Sequence, residues 1–593
     1  MRTYLVAAAL VALLCTQGGA NVNLVKDGRS DYCIILAKDA SPSEHWAAGE
    51  LKRFIGEMSG AIISYAEDSA NVPEHAILLG DSQALRSLGV AIDFDSLGDE
   101  GFAIKTVGDR LIIAGGRLRG TMYGAYAFLE SLGCRFLSDK VNKVPKTTDI
   151  SLGTIDTAET PAFEYRDVYI TEAMTPDYAA RNRGNSYMAK IDKKRGGAIA
   201  YYPFVHSFAQ LIPLEKYWDT HPEYYSMIDG KRTKDHTQLC LSNPEVVKLA
   251  TQTVLGWMRD HPEAKICSVS HNDWYNNCQC PNCKAIDDEE GSPSGLMLRF
   301  VNAIAAETSK AYPDKLIDTL AYQWTEKPPK VTTKLHPNVR VRLCPIFCCE
   351  SHPYETCGTK ENTEFVENLK NWSKITDQLY IWHYNTSFAN YLNPFPDYLQ
   401  LMDTAKLYKR MGVKGIFWEG SYPQGGGGEM AFLRSYLLSK VTWDPEVDGM
   451  AVMREFCDDF YGKSGKYIFE YVQLMLDKVT KDHIHMKIWA APTEAYLTPE
   501  IIAAADKLFD KAEAAAESPE YLERVKHDRI PIIFVKLMQP ILNKQTKGKA
   551  EEYTKALDEF VALCKSRGMT RISEWEDINS FHERTKKLLL DQN

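Results

Sequence analysis

Two hydrophobic rhythms alternate along this chain, and each predicts a different kind of element. From residue 21 to about 157, short apolar runs are interleaved with stretches in which apolar side chains recur every three or four positions. "DYCIILA" and "HAILLG" fit buried strands, and "SPSEHWAAGELKRFIGEMSG" between them fits an amphipathic helix capped by serine and ended by Gly60. "GFAIKTVGDRLIIAGG" holds two alternating runs around Gly108-Asp109, a hairpin signal. "RGTMYGAYAFLESLGCRF" then fits a helix with Tyr123, Tyr126 and Phe128 on its apolar face. Residues 21–157 therefore read as a small α/β accessory domain, with no paired acids in a suggestive setting.

From Pro161 the rhythm changes. Eight short apolar runs alternate with longer helical stretches over residues 158–470. The runs are "EYRDVYI" from Glu164, "AIAYYPFVHSF" from Ala198, "QLCLS" from Gln238, "KICSVSHND" from Lys265, "IDTLAYQW" from Ile317, "VRVRLCP" from Val339, "LYIWHY" from Leu379 and "GIFWEG" from Gly415. Eight such β–α units predict an α/β fold of the (β/α)8 TIM-barrel type. Beyond residue 471 strand signals vanish. "TPEIIAAADKLFDKAEAAAES" and "KAEEYTKALDEFVALCKSRG" are the clearest segments of an expected helical C-terminal domain, 471–593.

The first twenty residues add a compartment. "MRTYLVAAALVALLCTQGGA" has a basic start, an apolar run and a small-residue end, so a signal peptide cleaved after Ala20 is expected. A lipid anchor on Cys15 is the less favoured reading, since Leu14 is a poor residue at such a processing site. No later stretch has about eighteen uninterrupted apolar residues, so an exported chain without a membrane span is expected. The formal charge of −10, with no basic blocks, argues against nucleic acid as a partner. A neutral substrate of sugar or peptide type fits better.

In a TIM barrel the chemistry sits where strands end, so the residues closing each run belong together. They include Arg166, His206, Asn272, Asp273, Trp324, Glu350, Trp382, Tyr384, Asn385 and Glu419. Acids for proton transfer, amides and cations for hydroxyls, and flat rings for pyranose faces are what a sugar site needs. Each residue also has a plainer reading: Asn272-Asp273 is a common turn pair, and Glu350 sits among Cys348, Cys349 and His352. Just past Asp273 come Cys278, Cys280 and Cys283 in a C-x-C-x-x-C spacing. Without the His-rich, open ligand set of a catalytic zinc, they read as scaffolding, held by disulfides or by structural zinc with a fourth ligand such as Cys240, His271, His352 or Cys357.

The ordered motifs "HPEYYSMIDGKR", "QLCLSNPEV", "SHNDWYNNCQCPNC", "GSPSGLMLRFVNAIA", "LYIWHYN" and "WDP" followed by "FYG" resemble proteins carrying the domain of unknown function numbered 4838. Glycoside hydrolase family 163 was defined from that family. The resemblance covers about residues 22 to 480. "RGTMYGAYAFLE" also looks like the accessory domain before the barrel in β-hexosaminidases and α-glucuronidases.

The resemblance implies a retaining endo-β-N-acetylglucosaminidase that releases N-glycans from glycoproteins by substrate assistance. The 2-acetamido oxygen attacks the anomeric carbon, one residue polarises the acetamide and an acid protonates the leaving oxygen. In related barrels that pair closes the fourth strand, which here ends in Asn272 and Asp273. Related hexosaminidases have Glu as the acid, so Glu419 and Glu350 stay open beside the shorter Asp273. By the same comparison Arg166 and His206 would hold hydroxyls, and Trp382 and Tyr384 would wall the site, with Trp324 and Asn385 at neighbouring strand ends. No step calls for a metal or organic cofactor. An exo-acting β-hexosaminidase, an α-glucuronidase-like hydrolase and a non-catalytic glycan-binding protein are the alternatives.

Overall fold

A computed structural model describes residues 22–332 and 334–592. The expected signal peptide and Cys15 lie outside the described residues. The chain divides into two compact units: one of residues up to 136, 142–161 and 191–197, the other of 137–141, 162–190 and 198 onward.

The first unit is built on a six-stranded mixed sheet. Its strands are β1 (Cys33–Leu36), β2 (Ser64–Ala66), β3 (Ala76–Leu79), β4 (Phe102–Val107), β5 (Arg110–Gly115) and β6 (Asp156–Glu159), in the order β6-β4-β5-β3-β1-β2. β4 and β5 form the hairpin around Gly108-Asp109. The helix α1 (Pro42–Ser59) starts where its sequence says it should. Ser41 accepts from the Glu44 N–H and Glu44 reaches back to the Ser41 N–H, a reciprocal capping box. Gly60 ends it at φ 80°, a left-handed turn that a side chain would strain. α2 (Gly120–Ser131) packs on α1, where the Trp46 indole donates to the Tyr126 hydroxyl at 2.8 Å.

The second unit holds a curled parallel sheet of six strands. They are β7 (Tyr165–Tyr169), β8 (Ile266–Ser268), β9 (Leu316–Ala321), β10 (Val339–Leu343), β11 (Leu379–Tyr384) and β12 (Gly415–Glu419), ordered β7-β12-β11-β10-β9-β8. Among the described residues six of the eight expected strands form, and they make a curled parallel half-barrel. The run from Ala198 lies along β8 from Ala200 to Pro203, where Tyr201 makes a single parallel bridge to Ile266. Asn185 spans the remaining gap to β7 by donating its N–H to the Arg166 carbonyl and accepting from the Ile199 N–H. The run from Gln238 never joins the sheet. Its side-chain amide is spent on the loop after β8, donating to the carbonyls of Asn272, Trp274 and Tyr275 and accepting from the Asn272 N–H.

Helices α3 (Pro244–Asp260), α4 (Ser294–Ala311), α5 (Lys360–Ile375), α6 (Tyr398–Arg410) and α7 (Ala431–Trp443) follow strand positions in sequence. The C-terminal segment is helical, but it is not a separate body from residue 471. Leu379, Trp418, Phe456, Phe509, Phe560 and Phe581 belong to one continuous hydrophobic cluster, so the helices beyond 471 share the core of the sheet. No helix among the described residues is long and apolar enough to cross a membrane.

Candidate active site

Strand alternation decides what meets inside the curl. In the parallel register Asp167 pairs with Phe417 and Tyr169 with Glu419, while Trp382 and Tyr384 pair with Phe417 and Glu419 on the other side. The lower layer is a closed packing of Tyr165, Tyr201, Tyr380 and Phe417. Arg342 is held there by Asp318 at 2.6 Å and faces the rings of Phe204 and Trp382. Asp167 accepts from Tyr165 and Ser186, and burial pushes its carboxyl up to about 6. The upper layer, one residue pair further along, forms the base of a cavity of about 620 Å³.

Glu419 closes β12 at the base of that cavity. It is buried, and the loss of water lifts its carboxyl to about 8. The Trp382 indole donates to Oε2 at 2.7 Å and opposes the shift by favouring the charged form, whereas Glu574 and Asp273 add to it by repulsion. At neutral pH Glu419 is therefore a protonated acid inside a cavity, the state a proton donor must have. Asp273 stands on the loop after β8 with an exposed side chain, and the Tyr322 hydroxyl donates to its Oδ1 at 3.0 Å. The His206 Nδ1 is 2.7 Å from the His271 carbonyl oxygen, which can only accept, so the proton belongs on Nδ1. Burial lowers the His206 pKa, leaving its Nε2 an acceptor 4.0 Å from Asp273.

Five of the residues singled out from sequence line this one cavity: His206, Asp273, Trp382, Tyr384 and Glu419. The others stand elsewhere. The Asn272 amide is engaged outside the cavity lining, where its Nδ2 donates to the Thr237 carbonyl at 3.1 Å and its Oδ1 accepts from the Ala209 N–H at 3.2 Å. Arg166, one position out of phase with Asp167, faces away from the cavity. Its guanidinium donates to the Arg183 and Phe163 carbonyls at 2.8 and 2.7 Å and lies over the Trp443 ring. Trp324 donates to the Trp274 carbonyl and packs on His271. Asn385 is buried behind Glu419, its N–H on the Glu419 carbonyl, and a side chain at Gly420 would meet its Oδ1 at 2.5 Å. Glu350 is buried beside the Tyr354 hydroxyl and His383, held well above the usual carboxyl range by burial.

Little in the sequence points to the cavity's remaining wall. Glu574 and Trp575 reach it from a loop between two C-terminal helices, where the Tyr422 hydroxyl donates to Glu574 at 2.7 Å. Burial raises the Glu574 carboxyl, and Asp273 adds to the rise. The one local hint is the "SEWE" break in helical periodicity. Five large aromatic residues are exposed among the described residues, and four of them, Tyr275, Phe347, Trp489 and Trp575, line this cavity. Exposed rings collected at one opening mark a binding surface.

The family model described as "Domain of unknown function (DUF4838)" matches residues 136–473, and "Glycosyl hydrolase family 67 N-terminus" matches residues 24–128. No curated protein matches the chain in sequence. Among solved structures, the family GH115 4-O-methyl-α-glucuronidase BtGH115A superposes with a TM-score of 0.58 at 12% identity, over 97% of this chain and 80% of its own. A GH138 enzyme targeting pectin rhamnogalacturonan II gives a TM-score of 0.54 at 11% identity, over 95% of this chain and 98% of its own. At these identities the likeness is one of fold.

Proposed function

The chain belongs to the DUF4838 family, whose model spans more than half of it, and on that premise we propose that it is an exported glycoside hydrolase, a retaining endo-β-N-acetylglucosaminidase that releases N-glycans from glycoproteins. The observation that carries this reading is Glu419, an acid held protonated near neutral pH at the base of a cavity rimmed by exposed rings. The glycosyl hydrolase family 67 N-terminal match and the glycosidase fold support the hydrolase class.

Glu419 donates its proton to the leaving glycosidic oxygen as the substrate's acetamide oxygen closes on the anomeric carbon. Asp273 replaces Asn272 as the group that polarises the acetamide: it reaches the cavity, and Tyr322 fixes its orientation. The Trp382 indole then stabilises the carboxylate that Glu419 becomes, and that carboxylate draws a proton from the incoming water. His206 offers its Nε2 to a sugar hydroxyl. Among the described residues lining the cavity there are three carboxyl groups and no Lys or Arg. A uronic acid would enter without a cationic partner, which disfavours the α-glucuronidase alternative. Rings at the rim, beyond the enclosed base, suit a chain of several sugars better than a single terminal one.

Incubation of the purified protein with an N-glycosylated protein should release a glycan and leave one N-acetylglucosamine on asparagine, both read by mass spectrometry. Failure to turn over any glycoprotein or any aryl N-acetylglucosaminide would overturn the reading and favour a glycan-binding protein. Trp575→Ala should raise KM up to about tenfold on a glycoprotein, the scale of one ring contact, with little change on a small aryl glycoside. Equal losses on both would show that Trp575 holds the site together instead of holding distant sugars.

The pH profile follows from Glu419. A group that must be protonated loses its contribution as pH rises through its pKa, so kcat/KM should fall on an alkaline limb near pH 8. Trp382→Phe removes a hydrogen bond that favours the charged form, so the limb should move to higher pH. A limb that stays in place or moves down would count against Glu419 as the acid.

A further inference from the structure

Two clusters of sulfur and nitrogen flank the candidate active site, and neither takes part in the chemistry above. In the first, Cys240 from the displaced third run meets Cys278, Cys280 and Cys283 from the loop beyond Asp273. All four are buried, with sulfurs within 4.8 Å of one another. The Cys240 sulfur stands 3.6 Å from that of Cys280 and 3.8 Å from that of Cys283. In the second, Cys349, His352 and Cys357 from the loop after β10 meet His485, again with ligand atoms within 4.8 Å. The His485 Nδ1 is 3.4 Å from the Cys349 sulfur and 3.5 Å from that of Cys357, and the His352 Nδ1 is 3.6 Å from Cys349.

We propose that both clusters are structural zinc sites, one of four thiolates and one of two thiolates and two imidazoles. A tetrahedral zinc with bonds of about 2.3 Å to sulfur and about 2.0 Å to nitrogen sets its ligand edges by geometry. Those edges are about 3.8 Å between sulfurs and about 3.5 Å between sulfur and nitrogen. The observed separations lie on these values. A disulfide would bring two sulfurs to about 2.05 Å and leave the other pair unused, and among the described residues every cysteine is a free thiol. Nor would a disulfide gather the imidazoles of two histidines, 133 positions apart, beside the same pair of cysteines.

The surroundings of the first cluster suit a charged sulfur set. The Met227 N–H donates to the Cys278 sulfur at 3.4 Å, Arg232 Nη1 lies 3.5 Å from the same atom, and the Ser242 hydroxyl lies 3.1 Å from Cys283. Donors aimed at thiolates offset the excess negative charge of a four-thiolate site. The second cluster has two thiolates against a divalent ion and needs no such offset.

Position gives each site a task. The first ties the chain at Cys240 to the loop that leaves Asp273, so it fixes the carboxyl proposed to face the acetamide. The second ties the loop after β10 to residue 485, and Ile488 and Trp489, a few residues on, line the cavity. Neither site lies within the cavity lining, so zinc supplies rigidity and takes no part in bond making.

The test uses the full chain, expressed with zinc in the medium and purified without chelator. Elemental analysis should find two zinc ions per chain, falling to one in Cys280→Ser/Cys283→Ser and to one in Cys357→Ser/His485→Ala. Zinc X-ray absorption of the unaltered protein should show an average of three sulfur and one nitrogen neighbours. That measurement decides the matter even if the variants fail to fold. Less than one zinc per chain would overturn the proposal, whether alkylation finds the cysteines paired or free. Sulfur neighbours alone with one zinc would retain the first site and remove the second.

Discussion

Glu419→Gln is expected to lower kcat on a glycoprotein by about 10²- to 10⁴-fold, the range for losing a positioned acid. Gln fills the same space and still accepts from the Trp382 indole, so KM and folding should change little. The loss should largely disappear on an aryl glycoside whose phenol is acidic enough to leave unprotonated, because that substrate does not need the proton. Glu574→Gln is the comparison that assigns the role. Glu574 shares the cavity and raises the Glu419 carboxyl by repulsion, so its neutralisation should lower the alkaline limb of the pH profile and leave most of the turnover. If Glu574→Gln instead shows the large loss with rescue by the aryl substrate, the acid is Glu574 and the assignment to Glu419 is wrong.

The parts of the fold that local chemistry controls were legible in the chain. α1 could be bounded at both ends because Ser41, Glu44 and Gly60 each act on backbone groups beside them. Six strand runs were readable because strands buried on both faces are short, apolar and framed by helices. The run from Gln238 failed as a strand for a long-range reason: its amide is bound by the loop after β8, and Cys240 is drawn to Cys280 and Cys283.

The site shows the same division. Glu419 was legible as an acid closing a strand, and Asp273 as an acid just past one, on the loop after β8. Arg166 and Asn272 were not separable from them, because a one-residue change of phase sends a side chain to the opposite face. Arg166 and Asp167 are that case on β7. Glu574, Trp575 and Trp489 come to the cavity from the helical C-terminal part, and no local pattern ties loops there to a strand that ends far earlier in the sequence.

Asp273→Asn should reduce kcat by about 10²- to 10³-fold, the scale of removing one preorganised group that stabilises developing charge. The acetamide becomes positively charged as its oxygen closes on the anomeric carbon, and Asn can orient it but cannot offset that charge. A thiazoline analogue of N-acetylglucosamine, which resembles the cyclised intermediate more than the substrate, should inhibit the unaltered protein and bind the Asp273→Asn variant much more weakly. Asn272→Ala separates chemistry from scaffolding. Its amide joins the Thr237 carbonyl to the Ala209 N–H, so truncation should destabilise the fold by about 1–3 kcal/mol. Thiazoline affinity should persist in whatever fraction of that variant stays folded. Full activity in Asp273→Asn, together with no thiazoline binding to the unaltered protein, would remove the substrate-assisted mechanism. Loss of thiazoline affinity in folded Asn272→Ala but not in Asp273→Asn would return the acetamide to Asn272, against the hydrogen bonds that now hold it away from the cavity.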